Sequence, residues 1–528
     1  MSKNDEKYVL SIDLGTSGSK MAVVSVFGEV VDFDFEAVQL NLLPGGGAEQ
    51  DPREWWRAIM ATAKRLLSRG SVPAEDIVAV CASTQWSGTV AVDEAGRPLM
   101  NAVIWMDMRG EKYVQDITAG GPFKVEGYGL LKLMRWVRMT GGAPGQSGKE
   151  PVGHILFIKN EFPDVYEKTY KFLEPRDYIN LCLTGEFASS YDAITLHWVT
   201  DNRNLEKITY HDKLIEMTGL ERDKLPDLKR AVDVLGPIKK ELAGELGLRE
   251  DVQVVMGSPD IMAAAVGSGA VGDYEGHAYI GTSSWIVAHV PFKKTDILHG
   301  IASIPSSIPD KYIVVNEQEI AGGTLNYLRD NILYHKDALL KEASVPDIYK
   351  VFDGIAAKVP PGSNKVIFTP WLNGEKTPVE DNAVRACLYN LSLENTREDV
   401  IRAFFEGVAF NQRWALTYVE KFIGRKMDPI HLVGGGASSD IWCQIHADVF
   451  DRTVKQVEAP IQTNARGTAF IAAVGLGYLA FDDIPKYVKI RNTYEPNPET
   501  RGIYDDLFGI FLDIYNKNKK IYKKLNAT

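Results

Sequence analysis

One short turn occurs twice in this chain. Asp13-Leu14-Gly15-Thr16-Ser17-Gly18-Ser19-Lys20 follows one apolar run and precedes another, and Gly281-Thr282-Ser283-Ser284 stands between Ala278-Tyr279-Ile280 and Trp285-Ile286-Val287-Ala288. The Gly-Thr-Ser triplets at 15–17 and 281–283 lie about half of the 528-residue length apart. Glycine allows the backbone to turn tightly and to bring its N–H groups against phosphate oxygens. Two related half-chains, each offering such a hairpin, can hold one polyphosphate between them. The repeat therefore predicts an ATP-using protein that closes a cleft.

A chain of this length divides into at least two domains, because single cores stop growing sooner. The expected division is 1–253 and 254–528, just before the apolar stretch Val254-Val255-Met256. A net charge of −11 argues against nucleic acid or an anionic membrane as partner, since either calls for a basic face. The start lacks the apolar core of a signal peptide, and no long uncharged apolar run is present. Cys81, Cys182, Cys387 and Cys443 lack metal-ligand spacing and read as buried thiols in a reducing compartment. A cytoplasmic enzyme is the expectation.

Strand and helix signals alternate. Tyr8–Ile12 and Met21–Val26 read as strands around the first turn, and Asp51-Pro52-Arg53-Glu54 opens a helix with Asp51 as cap and Glu54 reaching back. That helix places Trp55, Trp56, Ile59, Met60, Ala63 and Leu67 on one stripe. Ile77–Ala82 is a buried strand, whereas the glycine-rich and basic stretch 120–149 has no clear pattern. In the second half the order strand, hairpin, strands, helices returns, with a long helix over Asp399–Lys421 and a buried strand Ile430–Val433. Alternation of this kind predicts an α/β fold with a partly parallel sheet in each half.

Four constellations carry chemistry. In the first, Gly15, Thr16, Ser17 and Ser19 offer donors, Lys20 offers positive charge, and Asp13 at the strand end can hold Mg²⁺ through water. The bland alternative is a plain hairpin in which Gly18 serves the turn; the second copy at Gly281 and Thr282 weighs against it. In the second, Gly434, Gly435, Gly436, Ala437 and Ser438 run from a strand into a helix, suiting close approach of a flat ring or a phosphate, or simply a tight turn. The spacing matches neither a P-loop nor a dinucleotide fingerprint. In the third, Gly257-Ser258-Pro259-Asp260 sets Asp260 where it can accept a proton from an attacking hydroxyl, or merely cap a helix. In the fourth, Trp86, Ser87, Asp107 and Arg109 suit a polyhydroxylated ligand, with Asp107 and Arg109 leaving one face of an extended segment; an Asp–Arg pair closing a loop is the alternative.

Taken together these residues resemble the FGGY carbohydrate kinases, relatives of actin, heat-shock chaperone ATPases and hexokinase. The resemblance runs through Asp13–Lys20, Glu49-Gln50-Asp51-Pro52, Trp105-x-Asp107-x-Arg109, Asp177-Tyr178-Ile179, Gly257–Asp260, Gly281-Thr282, Gly374–Pro378, Glu406-Gly407 and Gly434–Ser438. It implies two ribonuclease-H-like domains around a cleft and MgATP-dependent phosphorylation of a sugar or polyol hydroxyl. By the same resemblance Asp260 is the catalytic base, Asp13 the Mg²⁺-associated carboxylate, and Gly281, Thr282 and Gly434–Ala437 nucleotide contacts. Gln85-Trp86-Ser87-Gly88 departs from the Gln-Met-His-Gly usual in xylulose kinases and from the Arg-Glu of glycerol kinases. Loss of those polar contacts moves specificity, which disfavours glycerol and leaves a keto-sugar such as D-xylulose as the expected substrate, with other pentuloses and polyols open. Relatives form dimers or tetramers, so a homodimer is expected, though no interface is legible. The rival readings are a chaperone-like or actin-like nucleotide switch, for which no β-rich peptide-binding extension is left, and a silent nucleotide or sugar sensor, against which Asp13, Lys20 and Asp260 speak.

Overall fold

The computed structural model describes residues 6–333 and 347–526. Strand β1 (Tyr8–Gly15) turns back into β2 (Gly18–Ser25) and β3 (Val30–Ala37), and helix α1 (Pro52–Ser68) leads to β4 (Ile77–Thr84). After α2 (Pro175–Thr184) the chain returns in β5 (Gln253–Pro259), which runs directly into α3 (Asp260–Gly267). β3, β2 and β1 are antiparallel neighbours, while β1, β4 and β5 are parallel; Val234–Pro237 adds an edge strand beside β5. The sheet thus continues past residue 253, where the sequence pattern suggests the domain boundary. β5 belongs to the first sheet because its backbone is paired with β4.

The second half repeats this frame. β6 (Gly276–Ile280), β7 (Ser284–Val290) and β8 (Tyr312–Val315) are antiparallel neighbours. β9 (Ile430–Val433) and β10 (Val454–Val457) run parallel to β6, and three outer strands complete an eight-stranded sheet. Between β8 and β9 lies α4 (Arg397–Ile423), capped by Thr396 and Asp399 and ended by left-handed Gly424; α5 (Asp440–Phe450) follows the glycine turn and leads into β10, after which come α6 (Thr463–Gly475) and α7 (Arg501–Asn526). The five-strand cores β3-β2-β1-β4-β5 and β8-β7-β6-β9-β10 have the same order and the same parallel and antiparallel senses.

Small residues explain how the halves meet. α6 lays Ala465, Ala469, Ala472 and Ala473 against Val9, Val24, Ala79 and Val255 of the first sheet, and Phe470 and Ile471 against Val433 and Val457 of the second. It crosses α3 at backbone distance: a Cβ on Gly467 would stand 1.8 Å from the Ala263 carbonyl oxygen, and one on Gly267 2.0 Å from that of Thr463. α1 covers the outer face of the first sheet with Trp55, Ile59, Ala63 and Leu66, its Asp51 accepting from Arg53 N–H as expected. Glu54, expected to reach back to the cap, instead accepts from Gln39 N–H. The patternless stretch 120–149 holds a short hairpin and a helix over Leu130–Thr140 that stops at left-handed Gly141. Of the four thiols Cys81 and Cys443 are buried, while Cys182 and Cys387 are half-buried. No helix among the described residues is long and apolar enough to cross a membrane.

Candidate active site

The first hairpin has a two-residue tip, Thr16-Ser17, closed by Gly15 opposite Gly18. Gly18 is required because a Cβ there would lie 2.3 Å from the Glu36 carbonyl oxygen and 2.6 Å from the Phe35 ring. Directly across the two strands Asp13 faces Lys20, whose Nζ is 3.3 Å from Asp13 Oδ2. Asp13 is buried, and its other oxygen has only long contacts, 3.4 Å from Ser83 Oγ and 3.5 Å from Asn464 Nδ2. Ser19, expected to add a donor, is fully buried on the strand face opposite Lys20 and cannot serve a ligand. Thr16 is tied inward: its hydroxyl donates to Gln85 Oε1 at 3.1 Å and accepts from Trp105 Nε1 at 2.9 Å, while Gln50 Nε2 donates to its carbonyl at 2.8 Å. Ser17 at the tip is exposed.

Asp260 is the first residue of α3, and its carboxylate accepts from Ile261 N–H at 2.8 Å. Burial, with the negative charge of Asp13 next, pushes its carboxyl up to about 7. Lys20 is held in its charged form chiefly by Asp13, with smaller help from Tyr279 and Asp260. One basic group that titrates near neutrality beside one fixed cation is the pairing that proton abstraction with phosphoryl transfer needs.

In the second half the turn Gly281-Thr282-Ser283 joins Ile280 to Ser284. Its carbonyls are held from outside: Gly322 N–H donates to Gly281 O and Ala321 N–H to Thr282 O, each at 2.8 Å. Ala321-Gly322-Gly323 opens a helix of its own, for which the Gly-Gly pair at its start is the available sequence signal. Gly434 takes φ +88, and a Cβ on it would lie 2.6 Å from the Ile280 carbonyl oxygen. Gly436 packs on the Ile280 side chain, so two of the three glycines serve contact with the second hairpin. Gly435 and Ser438 are exposed, and nothing lies within 4 Å of a Cβ on Gly435. Ala437 is buried. Ser439 caps α5, accepting from Trp442 N–H at 3.2 Å and donating to Asp353 Oδ1 at 2.6 Å.

Trp86 packs against the cluster of Ile261 and Trp285 beside Asp260, with its Nε1 donating to Ala193 O. Ser87 adopts φ +65 and donates to Lys149 O at 2.8 Å. Asp107 and Arg109 overturn an expectation: residues 105–110 form turns, and Asp107 is completely buried, accepting from Ala48 N–H and pairing with Arg109 at 2.6 Å. Arg109 also reaches Glu49 at 2.7 Å. Asp107 closes a loop and has no surface for a sugar. Lys149 bridges to Glu319 at 3.1 Å, and Lys376 pairs with Glu317 at 2.6 Å while lying 5.3 Å from the Trp105 ring centroid. Lys149–Glu319 and Lys376–Trp105 join the two halves, and none of these contacts has a local sequence signal, since each joins residues far apart in the chain.

A pair of sheets with one shared topology, a hairpin in each, and a carboxylate between them define an actin-like two-domain ATPase. Similarity to known proteins makes this specific. Residues 8–267 match the model of the "FGGY family of carbohydrate kinases, N-terminal domain" and residues 277–476 that of its C-terminal domain. The chain is 28% identical over 526 residues to a xylulose kinase of Staphylococcus epidermidis, covering 98% of each. It is 25% identical to a gluconokinase of Bacillus subtilis, over 96% of this chain and 95% of that one. The fold is that of xylulose kinase from Lactobacillus acidophilus, with a TM-score of 0.84 at 23% identity, covering 98% of this chain and all of the other. The chain belongs to the FGGY family of carbohydrate kinases. It is an ATP-dependent sugar kinase.

Proposed function

We propose that the enzyme moves the γ-phosphoryl group of ATP to a hydroxyl of a neutral keto-sugar, D-xylulose foremost. The observation that carries the choice of a neutral sugar is the pairing of charge around Trp86, Ser87 and Trp105. Among the described residues Lys20 pairs with Asp13, Lys149 with Glu319, Lys376 with Glu317, and Arg109 with Asp107 and Glu49. A sugar acid brings a carboxylate, and binding it there requires breaking one of these pairs or leaving its charge uncompensated, at a cost of several kcal/mol. The 28% identity to a xylulose kinase points the same way, against the gluconokinase relative.

In this reading the sugar lies against Trp86, Ser87 and Asp260. The nucleotide spans the cleft, its phosphates between Gly15–Ser17 and Gly281-Thr282 and its adenosine by Gly434–Ser438. Asp260 accepts the proton of the attacking hydroxyl, and Lys20 holds negative charge as the phosphoryl group passes. Asp13 is the residue fitted to hold Mg²⁺ through water, because one of its oxygens has only contacts of 3.4 and 3.5 Å; the ion would offset phosphate charge. Closure of the halves excludes water as a competing acceptor. The reading places the enzyme in the cytoplasm.

The test is ADP release from MgATP with xylulose, ribulose, gluconate, polyols and glycerol, beside the Asp260→Ala variant. Stimulation by a neutral keto-sugar that vanishes in the variant is the expected result. Gluconate as the best acceptor would overturn the neutral-sugar reading, and full turnover in the variant would overturn the role of Asp260.

A further inference from the structure

The strand that delivers Asp260 is irregular just before it. Val255 pairs with Cys81 and Ser258 with Ser83, so Met256 and Gly257 together oppose the single residue Ala82. Gly257 sits at φ +76, where a Cβ would be 2.1 Å from the Ala82 carbonyl oxygen. Such a bulge flips the alternation of side chains beyond it and re-aims the residues on its C-terminal side. Here those residues are Ser258, Pro259 and Asp260.

A buried polar network grips this bulge from one side. Asn180 Nδ2 on α2 donates to Met256 O at 2.8 Å, and Arg176 on the same helix donates to Gly257 O at 3.2 Å and to Ser190 Oγ at 2.9 Å. Ser190 Oγ donates in turn to one oxygen of Asp192, and Ser258 Oγ donates to the other. Arg176 also pairs with Asp177. Arg176, Asp177, Asn180, Ser190, Asp192 and Ser258 are all buried, and no local sequence pattern marks them for this role. A carboxylate excluded from water with both oxygens engaged is costly to place, and such groups persist where they fix one arrangement against alternatives. Nothing else in the network reaches the side chain of Ser258, two residues from the base.

We propose that Asp192 is a positioning residue for phosphoryl transfer: through Ser258 on one oxygen and Ser190–Arg176 on the other it holds the Met256–Gly257 bulge, and so fixes where the Asp260 carboxylate meets the acceptor hydroxyl. The proposal rests on the reading of Asp260 as the base. A reacting group displaced by about 1 Å loses on the order of 10²-fold in rate, while the ligand sites formed by the two hairpins are left as they were.

The experiment is steady-state kinetics on the full chain with MgATP and the best acceptor sugar, for Ser258→Ala, Asp192→Asn, the double variant and Asp260→Ala. Ser258→Ala removes only the link to the bulge. It is expected to lower kcat by about 10- to 100-fold while both KM values stay within about threefold, the pattern of an interaction realised in the transition state. Asp192→Asn is expected to lose about as much, and the double variant no more than the larger single loss, because both act on one linkage. If Asp192→Asn does not fold, Ser258→Ala decides alone. A Ser258→Ala enzyme with kcat within about twofold of the parent, a loss expressed in KM, or additive losses in the double variant would overturn the proposal. Full turnover in Asp260→Ala would instead remove the base reading beneath it. A dead Asp260→Ala beside an unimpaired Ser258→Ala would sink the positioning role and leave the base in place.

Discussion

The two hairpins occupy the same place in the same five-strand frame, yet they present opposite chemistry. At the position where β1 and β2 set Asp13 across from Lys20, an ion pair at 3.3 Å, β6 and β7 set Tyr279 across from Trp285, two rings stacked 3.9 Å apart and nearly parallel. The first turn is braced by the side chains of Gln50, Gln85 and Trp105; the second is braced by backbone N–H groups of Ala321 and Gly322. Duplication of the strand order fixes where a turn lies, whereas the cross-strand residues decide what it does. The charged pair suits the site of transfer, and the uncharged, glycine-backed turn suits holding the nucleotide without competing for its charge.

This contrast can be broken by substitution. Lys20→Met should give the largest effect, a fall in kcat of about 10²- to 10³-fold with a much smaller change in the KM for ATP, as for loss of a donor to a developing anion. Steady-state kinetics at saturating sugar checks it, and a purely KM effect would erase the assigned difference between the turns. Gly281→Ala should act the other way. Its Cβ would be 2.3 Å from the Tyr279 ring, so the turn must shift, raising the KM for ATP about tenfold (about 1.4 kcal/mol) with kcat nearly kept. Gly434→Ala adds φ strain to a contact of 2.6 Å and should cost about 1–3 kcal/mol, read as a lower melting temperature.

A pH profile sharpens the same comparison. Asp260 must be ionised to take a proton, and burial together with the charge of Asp13 raises its carboxyl to about 7. Turnover should therefore climb as pH rises through about 7 and level off above it. Asp13→Asn removes the larger of the two charges that raise the Asp260 carboxyl, Asp13 and Glu317, so the residual activity should show its limb at lower pH; an unmoved limb would mean that another group is being titrated. The smallest effect is expected for Lys149→Ala, which breaks the bridge to Glu319 while Lys376, 3.6 Å away, still partners that glutamate. A change of about two- to threefold in sugar KM is anticipated, and a loss of kcat as large as that of Lys20→Met would show the bridge to be more than a rim contact.

Local signals are legible where they are self-contained. Asp51 caps α1, and Ile430–Val433 runs into the glycine turn. Asp107 and Arg109 mislead because their alternation implies an extended segment; the stretch turns, and its polar atoms meet each other and Glu49. The division at residue 253 misleads for a related reason. The strand signal after it is correct, but which sheet receives that strand depends on pairing with Ile77–Thr84, far away in the chain. Ser19 shows the same limit, since its place next to Lys20 says nothing of which face is covered.

The repeat, the two glycine turns, the aspartate at the head of α3 and the family to which they belong are all legible in the primary structure, because each is written in contiguous residues whose backbone freedom or apolar pattern leaves little choice. Folding in three dimensions settled which charges are paired across the cleft, which glycines contact Ile280 and which leave open surface, and how Arg176, Asp192 and Ser258 converge behind Asp260. Those outcomes depend on packing between segments up to hundreds of residues apart, and a pairing energy exists only once folding has brought its two partners out of water together.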